Sequence, residues 1–243
     1  MERVIDPGGS AAGRPRVALS SRCARHWLRR HVFVCDAGRY CVFLDLAQDR
    51  YCSTVRERVP QAAKALADRG LLTSNPDEGH EWVPACIPIP TASLLDCSGL
   101  RSHSHGNTAP DGSSVPIFLA ACTRAQLTLH FSTIQKTVER VARRKHDHQI
   151  ARHAALPPGF DLERAARVVT AFGKLRPWFP TNYRCLFDSL ALIEVLAHHG
   201  LFPSWVFGVY PEPFEAHCWV QEGFVVLNDR VANVSPFTPI LVV

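Results

Sequence analysis

Cys185, His217 and Asp229 have the types and order needed for nucleophilic attack on a carbonyl. Cys185 opens the apolar segment Cys185-Leu-Phe-Asp-Ser-Leu-Ala-Leu-Ile-Glu-Val-Leu-Ala-His-His199, and Gly200 ends it as a helix stop. His217 lies in the strand-like run Ala216-His-Cys-Trp-Val-Gln221, and Asp229 closes the next run, Phe224-Val-Val-Leu-Asn-Asp229. A free thiol has a pKa of about 8.5, so little of it is thiolate at neutral pH. A helix start supplies unpaired N–H groups and partial positive charge, both of which favour the anion. An imidazole takes the thiol proton and returns it to a leaving amine, while a carboxylate on the other ring nitrogen fixes the tautomer. The Cys185 backbone N–H is a natural oxyanion donor. Trp178 and Tyr183, just upstream, are candidates for the second.

Strand parity tests the third member, because side chains alternate faces. A two-residue turn at Glu222-Gly223 would set His217 opposite Asn228. A three-residue loop centred on Gly223 would set it opposite Asp229, so the carboxylate assignment calls for an odd loop or a bulge. Taken singly, each residue has an ordinary structural explanation: a core cysteine, a satisfied histidine, a turn aspartate. Together, in this order, they favour catalysis.

Cys185-Leu-Phe-Asp-Ser-Leu-Ala-Leu, Val206-Phe-Gly-Val209 and Phe214-Glu-Ala-His-Cys-Trp-Val220 also carry a family likeness. They resemble the leader peptidases of lasso-peptide biosynthesis, the transglutaminase-like B proteins, over roughly residues 160–243. Cys185, His217 and Asp229 fall on that family's triad positions. Cys218 departs from its pattern, in which a small residue such as alanine is usual; the change is minor and its thiol is not expected to be catalytic. The resemblance implies a ribosomally made precursor peptide as substrate, gripped by its leader. It implies a partner too, an ATP-using lasso cyclase resembling asparagine synthetase. ATP dependence belongs to that assembly; this chain has no phosphate-binding Gly-rich loop and no cofactor bound directly is expected. Two alternatives stay open: an acyltransferase or transglutaminase-type enzyme with the same triad, and a non-catalytic peptide-binding adaptor.

The expected fold class is α+β: a small β-rich, winged-helix-like N-terminal domain over 1–80, a linker over 81–116 and a transglutaminase- or papain-like cysteine peptidase domain over 117–243. Residues 31–36, 40–45 and 50–53 read as strands, and 60–69 as a helix with Pro60 near its start and Gly70 past its end. This pattern, with Leu44-Asp-Leu46 and Asp49-Arg-Tyr51, resembles the PqqD-like leader-recognition domain. Tyr40, Val42, Tyr51 and Leu66 are candidates for a peptide-docking groove beside an edge strand. Residues 81–116 carry Pro84, Pro88, Pro90, Pro110 and Pro116 around a Ser- and Gly-rich stretch, a composition that builds no core. In 117–145, Leu127, Phe131, Ile134, Val138 and Val141 keep helical spacing. A second helix follows Asp161 as N-cap, with Leu162, Ala165, Ala166 and Val169 as its apolar face.

Composition narrows the partners. Nine cysteines without regular spacing argue against a disulfide framework and for a reducing, cytoplasmic setting. The N-terminus lacks the apolar core of a signal peptide, and no membrane association is expected. The net charge is +5. Arg140, Arg143, Arg144 and Lys145 read as a solvated helix end, and no aromatic-interleaved motif points to nucleic acid. His103, His105 and Cys97, like His146 and His148, lack a four-ligand spacing, so no metal is expected.

Overall fold

The computed structural model describes residues 26–95, 114–153 and 160–243. Strand β1 (Trp27–Arg29) is followed by β2 (Val32–Ala37), β3 (Tyr40–Asp45) and β4 (Arg50–Val55). A two-residue turn with Gly38 at φ +64° joins β2 to β3. Between β3 and β4, the Asp45 carboxylate accepts the N–H groups of Ala47 and Gln48, which closes the turn on a side chain. These three strands form an antiparallel sheet in the order β2-β3-β4. Helix α1 (Val59–Asp68) follows, with Pro60 in its first turn and Gly70 at φ +76° beyond its end. Strands β5 (Leu72–Thr73) and β6 (Gly79–His80) then flank β1 in a second small sheet.

After β7 (Ala92–Ser93) come the helices α2 (Ser114–Phe131), α3 (Ile134–His153), α4 (Leu162–Leu175) and α5 (Cys185–His198). The chain finishes with β8 (Ser204–Pro211), β9 (Phe214–Glu222), β10 (Val225–Val226), α6 (Val231–Val234) and β11 (Thr238–Val242). These strands and β7 make a five-stranded sheet in the order β11-β8-β9-β10-β7. Helix α5 packs on β9 and against α2 and α4. It is buried nearly all round, which is why its sequence is apolar without a clear stripe. The fold is the mixed α and β architecture expected, with a small β-sheet region in front.

Both faces of the β2-β3-β4 sheet are covered. Val32, Val34, Cys41 and Phe43 face α1 and pack with Leu66, Leu71 and Leu72. Cys35, Ala37, Val42 and Leu44 point the other way, into the core that also holds Trp205, Phe207, Val209, Ile240 and Leu241. Residues 81–95, the described part of the segment read as a linker, pass from the front sheet to the five-stranded sheet. The Trp82 indole N–H bonds the Val34 carbonyl, the Gln221 amide bonds the Pro88 carbonyl, and β7 pairs in parallel with β10. Residues 96–113, with His103, His105 and Cys97, lie outside the described part.

The helices before α5 differ from expectation. The single helix read over 117–145 is two, because Thr133 caps a new start: its carbonyl accepts the Thr137 N–H and hydroxyl. Leu127 and Phe131 are therefore exposed, whereas Val138 and Val141 are buried. Asp161 caps α4 as expected, accepting the Arg164 N–H at 2.8 Å, but Leu162 lies at the surface and the buried face is Ala165, Val168, Val169 and Phe172. The basic cluster of α3 turns inward. Arg144 bonds the buried Glu194 of α5 at 2.8 Å, Arg124 of α2 bonds the same carboxylate at 3.3 Å, and Lys145 donates to Ser204 and to the Val243 carbonyl. Only Arg143 of the four stays exposed without such an inward bond.

The shared core predicts that the front sheet and the helix bearing Cys185 unfold together. Val42→Ala should cost about 2 kcal/mol, the transfer and cavity cost of a fully buried aliphatic side chain. The measurement is urea unfolding followed by Cys185 reactivity. The urea concentration that exposes Cys185 should fall with this front-sheet substitution; an independent front unit would leave it unchanged.

Candidate active site

Cys185 is the first residue of α5, preceded by Arg184 in extended conformation. A buried arginine sets that junction. Arg176 bonds Asp188 of the first turn through Nε and holds the carbonyls of Thr181 and Asn182 with its terminal nitrogen at 3.1 and 3.2 Å. The second oxygen of Asp188 accepts the Arg184 N–H at 2.9 Å. The acid thus completes the helix start, and Arg176 offsets its charge beside the thiol. The sequence reading missed this pair; its signal was an acid one helical turn after the last non-helical residue.

His217 lies on β9, and its Nε2 is 2.7 Å from Asp229 Oδ2. The other Asp229 oxygen accepts the Arg230 N–H and the Asn233 amide, each at 2.7 Å. The imidazole is flanked by Trp219 at 6.0 Å and Phe237 at 5.3 Å between ring centroids. Asp229 reaches His217 by a route different from the one expected. The β9–β10 turn holds two residues, Gly223 and Phe224, since Glu222 pairs with Val225. This even loop would set Asp229 on the wrong face if β10 continued. It stops at Val226 instead, and the chain bends so that Asp229 falls beneath His217. Asn228 turns inward: its Oδ1 accepts the Val220 N–H at 2.8 Å and its amide donates to Ser189 of α5 at 3.0 Å.

These contacts set the charges. The Cys185 thiol is drawn down to about 4, by a hydrogen bond from the Cys218 thiol and then by His217, against the opposing effect of burial. Burial disfavours the His217 imidazolium, yet the bonds to Asp229 and Cys185 overcome it and raise the group to about 9. Asp229, despite burial, is held below its ordinary value by His217, Asn233 and the Arg230 N–H. Cys218 is raised well above its ordinary value, by the Cys185 thiolate and by burial, so it stays a thiol and a donor. Cys35, Cys41 and Cys122 are pushed up to about 12, chiefly by burial. Among the described residues, then, Cys185 has the thiol that is drawn toward its anion.

Residues 125–242 match the family model described as the transglutaminase-like superfamily. They are a transglutaminase-like domain. No curated protein and no solved structure gives a significant match. Cys185, His217 and Asp229 all fall within the matched residues.

Beside Cys185 and His217 the transglutaminase-like domain opens onto a cavity of about 170 Å³. Its wall includes Leu44, Leu46 and Tyr51 of the front sheet region, with Ile134, Leu186 and Phe207. Tyr51 thus lines the same cavity as Cys185. Tyr40 is elsewhere, bonded to Glu212 at 3.1 Å, and its neighbour Arg39 holds the same carboxylate. Val42 and Leu66 are buried in the cores on opposite faces of the front sheet. The four candidates for a docking groove therefore do not share one, since strand alternation and helix packing send two of them inward. Trp178 and Tyr183 are exposed, and the Tyr183 ring lies 4.5 Å from the Arg176 guanidinium; neither lines the cavity. Among the described residues no group of three or more potential ligands could hold a metal, and no helix is long and apolar enough to cross a membrane.

Two outcomes follow from this geometry. Alkylation of Cys185 by iodoacetamide should stay fast down to pH about 5, because the thiolate is lost only as pH falls through about 4. Any reaction that also needs the His217 proton should fall off as pH rises through about 9. Rates that followed an ordinary thiol, rising only near pH 8.5, would overturn the thiolate–imidazolium pair. Secondly, Asp229→Ala should lower turnover by on the order of 10⁴-fold with the fold retained. Asn228→Ala should do the reverse, costing about 1–3 kcal/mol of stability by stranding the Val220 N–H and Ser189, with turnover much less affected. Turnover and urea midpoints of the two variants separate the roles.

Proposed function

We propose that this chain is a cysteine peptidase that removes the leader from a ribosomally made lasso-peptide precursor. The observation that carries the peptidase reading is the 2.7 Å bond from His217 to Asp229 behind a thiol lowered to about 4 at a helix start. The Cys185 thiolate attacks the scissile carbonyl, and the Cys185 N–H donates to the oxygen that becomes negative. His217, already protonated, gives its proton from the nitrogen facing Cys185 to the departing amine. It then takes a proton from water as the water attacks the thioester, and Cys185 leaves as thiolate. Asp229 keeps the ring oriented and stabilises its charged form throughout.

The leader specificity rests on the sequence motifs around Cys185 and His217 and on the PqqD-like pattern in front. The leader would add a strand at an edge of the β2-β3-β4 sheet, where β4 pairs with β3 alone. Tethering there raises the effective concentration of the cleavage site near Cys185. The freed core passes to an ATP-using cyclase resembling asparagine synthetase, and the setting is cytoplasmic.

The test is incubation of the chain with a precursor peptide, read by mass. Hydrolysis leaves two fragments whose masses sum to the precursor plus one water, and Cys185→Ala should abolish it while leaving leader binding intact. Cleavage by that variant would overturn the assignment of the nucleophile. A product with an amine in place of the water would make the enzyme an acyltransferase.

A further inference from the structure

We propose that the apolar cavity beside Cys185 receives one substrate side chain next to the scissile carbonyl, and that the N-terminal sheet builds its far wall. Leu46 and Tyr51 then determine specificity, although they lie outside the transglutaminase-like domain. The inference rests on the peptidase reading and adds to it the substrate class, a peptide with an apolar residue of leucine or phenylalanine size beside the cleaved bond.

Size and chemistry define the occupant. An apolar cavity of about 150 Å³ holds a benzene molecule, so one of about 170 Å³ takes a single isobutyl or benzyl group. Leu44, Leu46, Ile134, Leu186 and Phe207 offer a charged side chain no partner, and burying an unpaired charge is prohibitive. The charged side chain of the front region at the cavity is Asp49, which is exposed and has φ +48°. It repels an acidic residue approaching the mouth.

The β9 backbone places a peptide beside this cavity. Trp205 exchanges its backbone bonds with Val243 on the β11 side, so its partner across β9, Val220, points its N–H and C=O away from β8. Ala216 and Cys218 share that direction by strand alternation. Val220 is taken by Leu227 and Asn228, and the Cys218 carbonyl accepts the Ser189 hydroxyl. Ala216 lies beyond the reach of β10, which pairs only with Gln221 and Glu222, and it is exposed. An extended peptide bonded to Ala216 runs past Cys185 and His217 with the cavity at its side.

The test uses the full chain and reagents that need no peptidase activity. Cys185 alkylation by N-benzyl iodoacetamide is compared with that by N-methyl iodoacetamide, each normalised to a free thiol. Wild type should favour the benzyl reagent by about tenfold or more, the discrimination a hydrophobic pocket gives. Leu46→Trp should bring the ratio to about one by filling the cavity, and Tyr51→Ala should move the preference to a naphthylmethyl reagent. Rapid alkylation by iodoacetamide at pH 6 verifies that each variant keeps its thiolate. A wild-type ratio equal to that of free thiol, or a ratio unchanged in folded Leu46→Trp and Tyr51→Ala, overturns the pocket. Should the ratios behave as expected while no peptide is cleaved, the peptidase reading fails alone and the pocket stands.

Discussion

The bond from His217 to Asp229 joins β9 to the chain just beyond β10 and supports the imidazolium, which helps to draw down the Cys185 thiol. A half-buried imidazole would by itself favour its neutral form. Asp229 and Cys185 together reverse that preference, and the imidazolium in turn helps to hold the thiolate. Asp229 is itself kept anionic by the Asn233 amide and the Arg230 N–H at the start of α6. The order of control therefore runs from a four-residue helix through a carboxylate to an imidazole, and ends at sulfur.

The opposite side of the thiolate has its own supports. Asp188 closes the first turn of α5, yet a bare carboxylate there would work against an anionic sulfur. Arg176 cancels it and also grips the carbonyls of Thr181 and Asn182, so one buried cation shapes the approach to the helix and balances its charge. Cys218 completes the environment. The sequence reading treats it as a minor departure from a small residue, yet its buried thiol draws the Cys185 thiol down while its own is pushed up. Loss of that donor would weaken the hold on the thiolate.

What the sequence could reveal was local. The strands β2, β3 and β4 lie within two residues of the expected ranges, because alternation and turn residues are written in consecutive positions. The start of α5 and the Asp161 cap were readable for the same reason. The Ser132-Thr133 break was hidden because Leu127, Phe131, Ile134, Val138 and Val141 keep one period across it. The inward turn of Arg144 depends on Glu194, 50 residues on. Residues 92–93 form a strand only because β10 lies beside them, and a proline-rich composition gives no sign of that. Asp229 reaches His217 without the odd loop that parity calls for, because parity assumes that a strand continues and β10 ends after two residues.

The arrangement divides labour by strand geometry more than by position in the chain. An antiparallel sheet usually keeps one face for solvent, whereas the front sheet spends both faces on packing, against α1 and against the rear core. Side chains on those faces are then unavailable to a peptide, which is why Val42 and Leu66 cannot serve as contacts. Backbone at the edges remains available: β4 has a partner on one side only, and β9 has none beside Ala216 on the side away from β8. On the proposed reading, a peptide would therefore be held at edges and at the seam between the front sheet and the residues around Cys185. The seam next to Cys185 is lined by both units, so a change in the front sheet alters the shape of the site without touching the sulfur, the imidazole or the carboxylate.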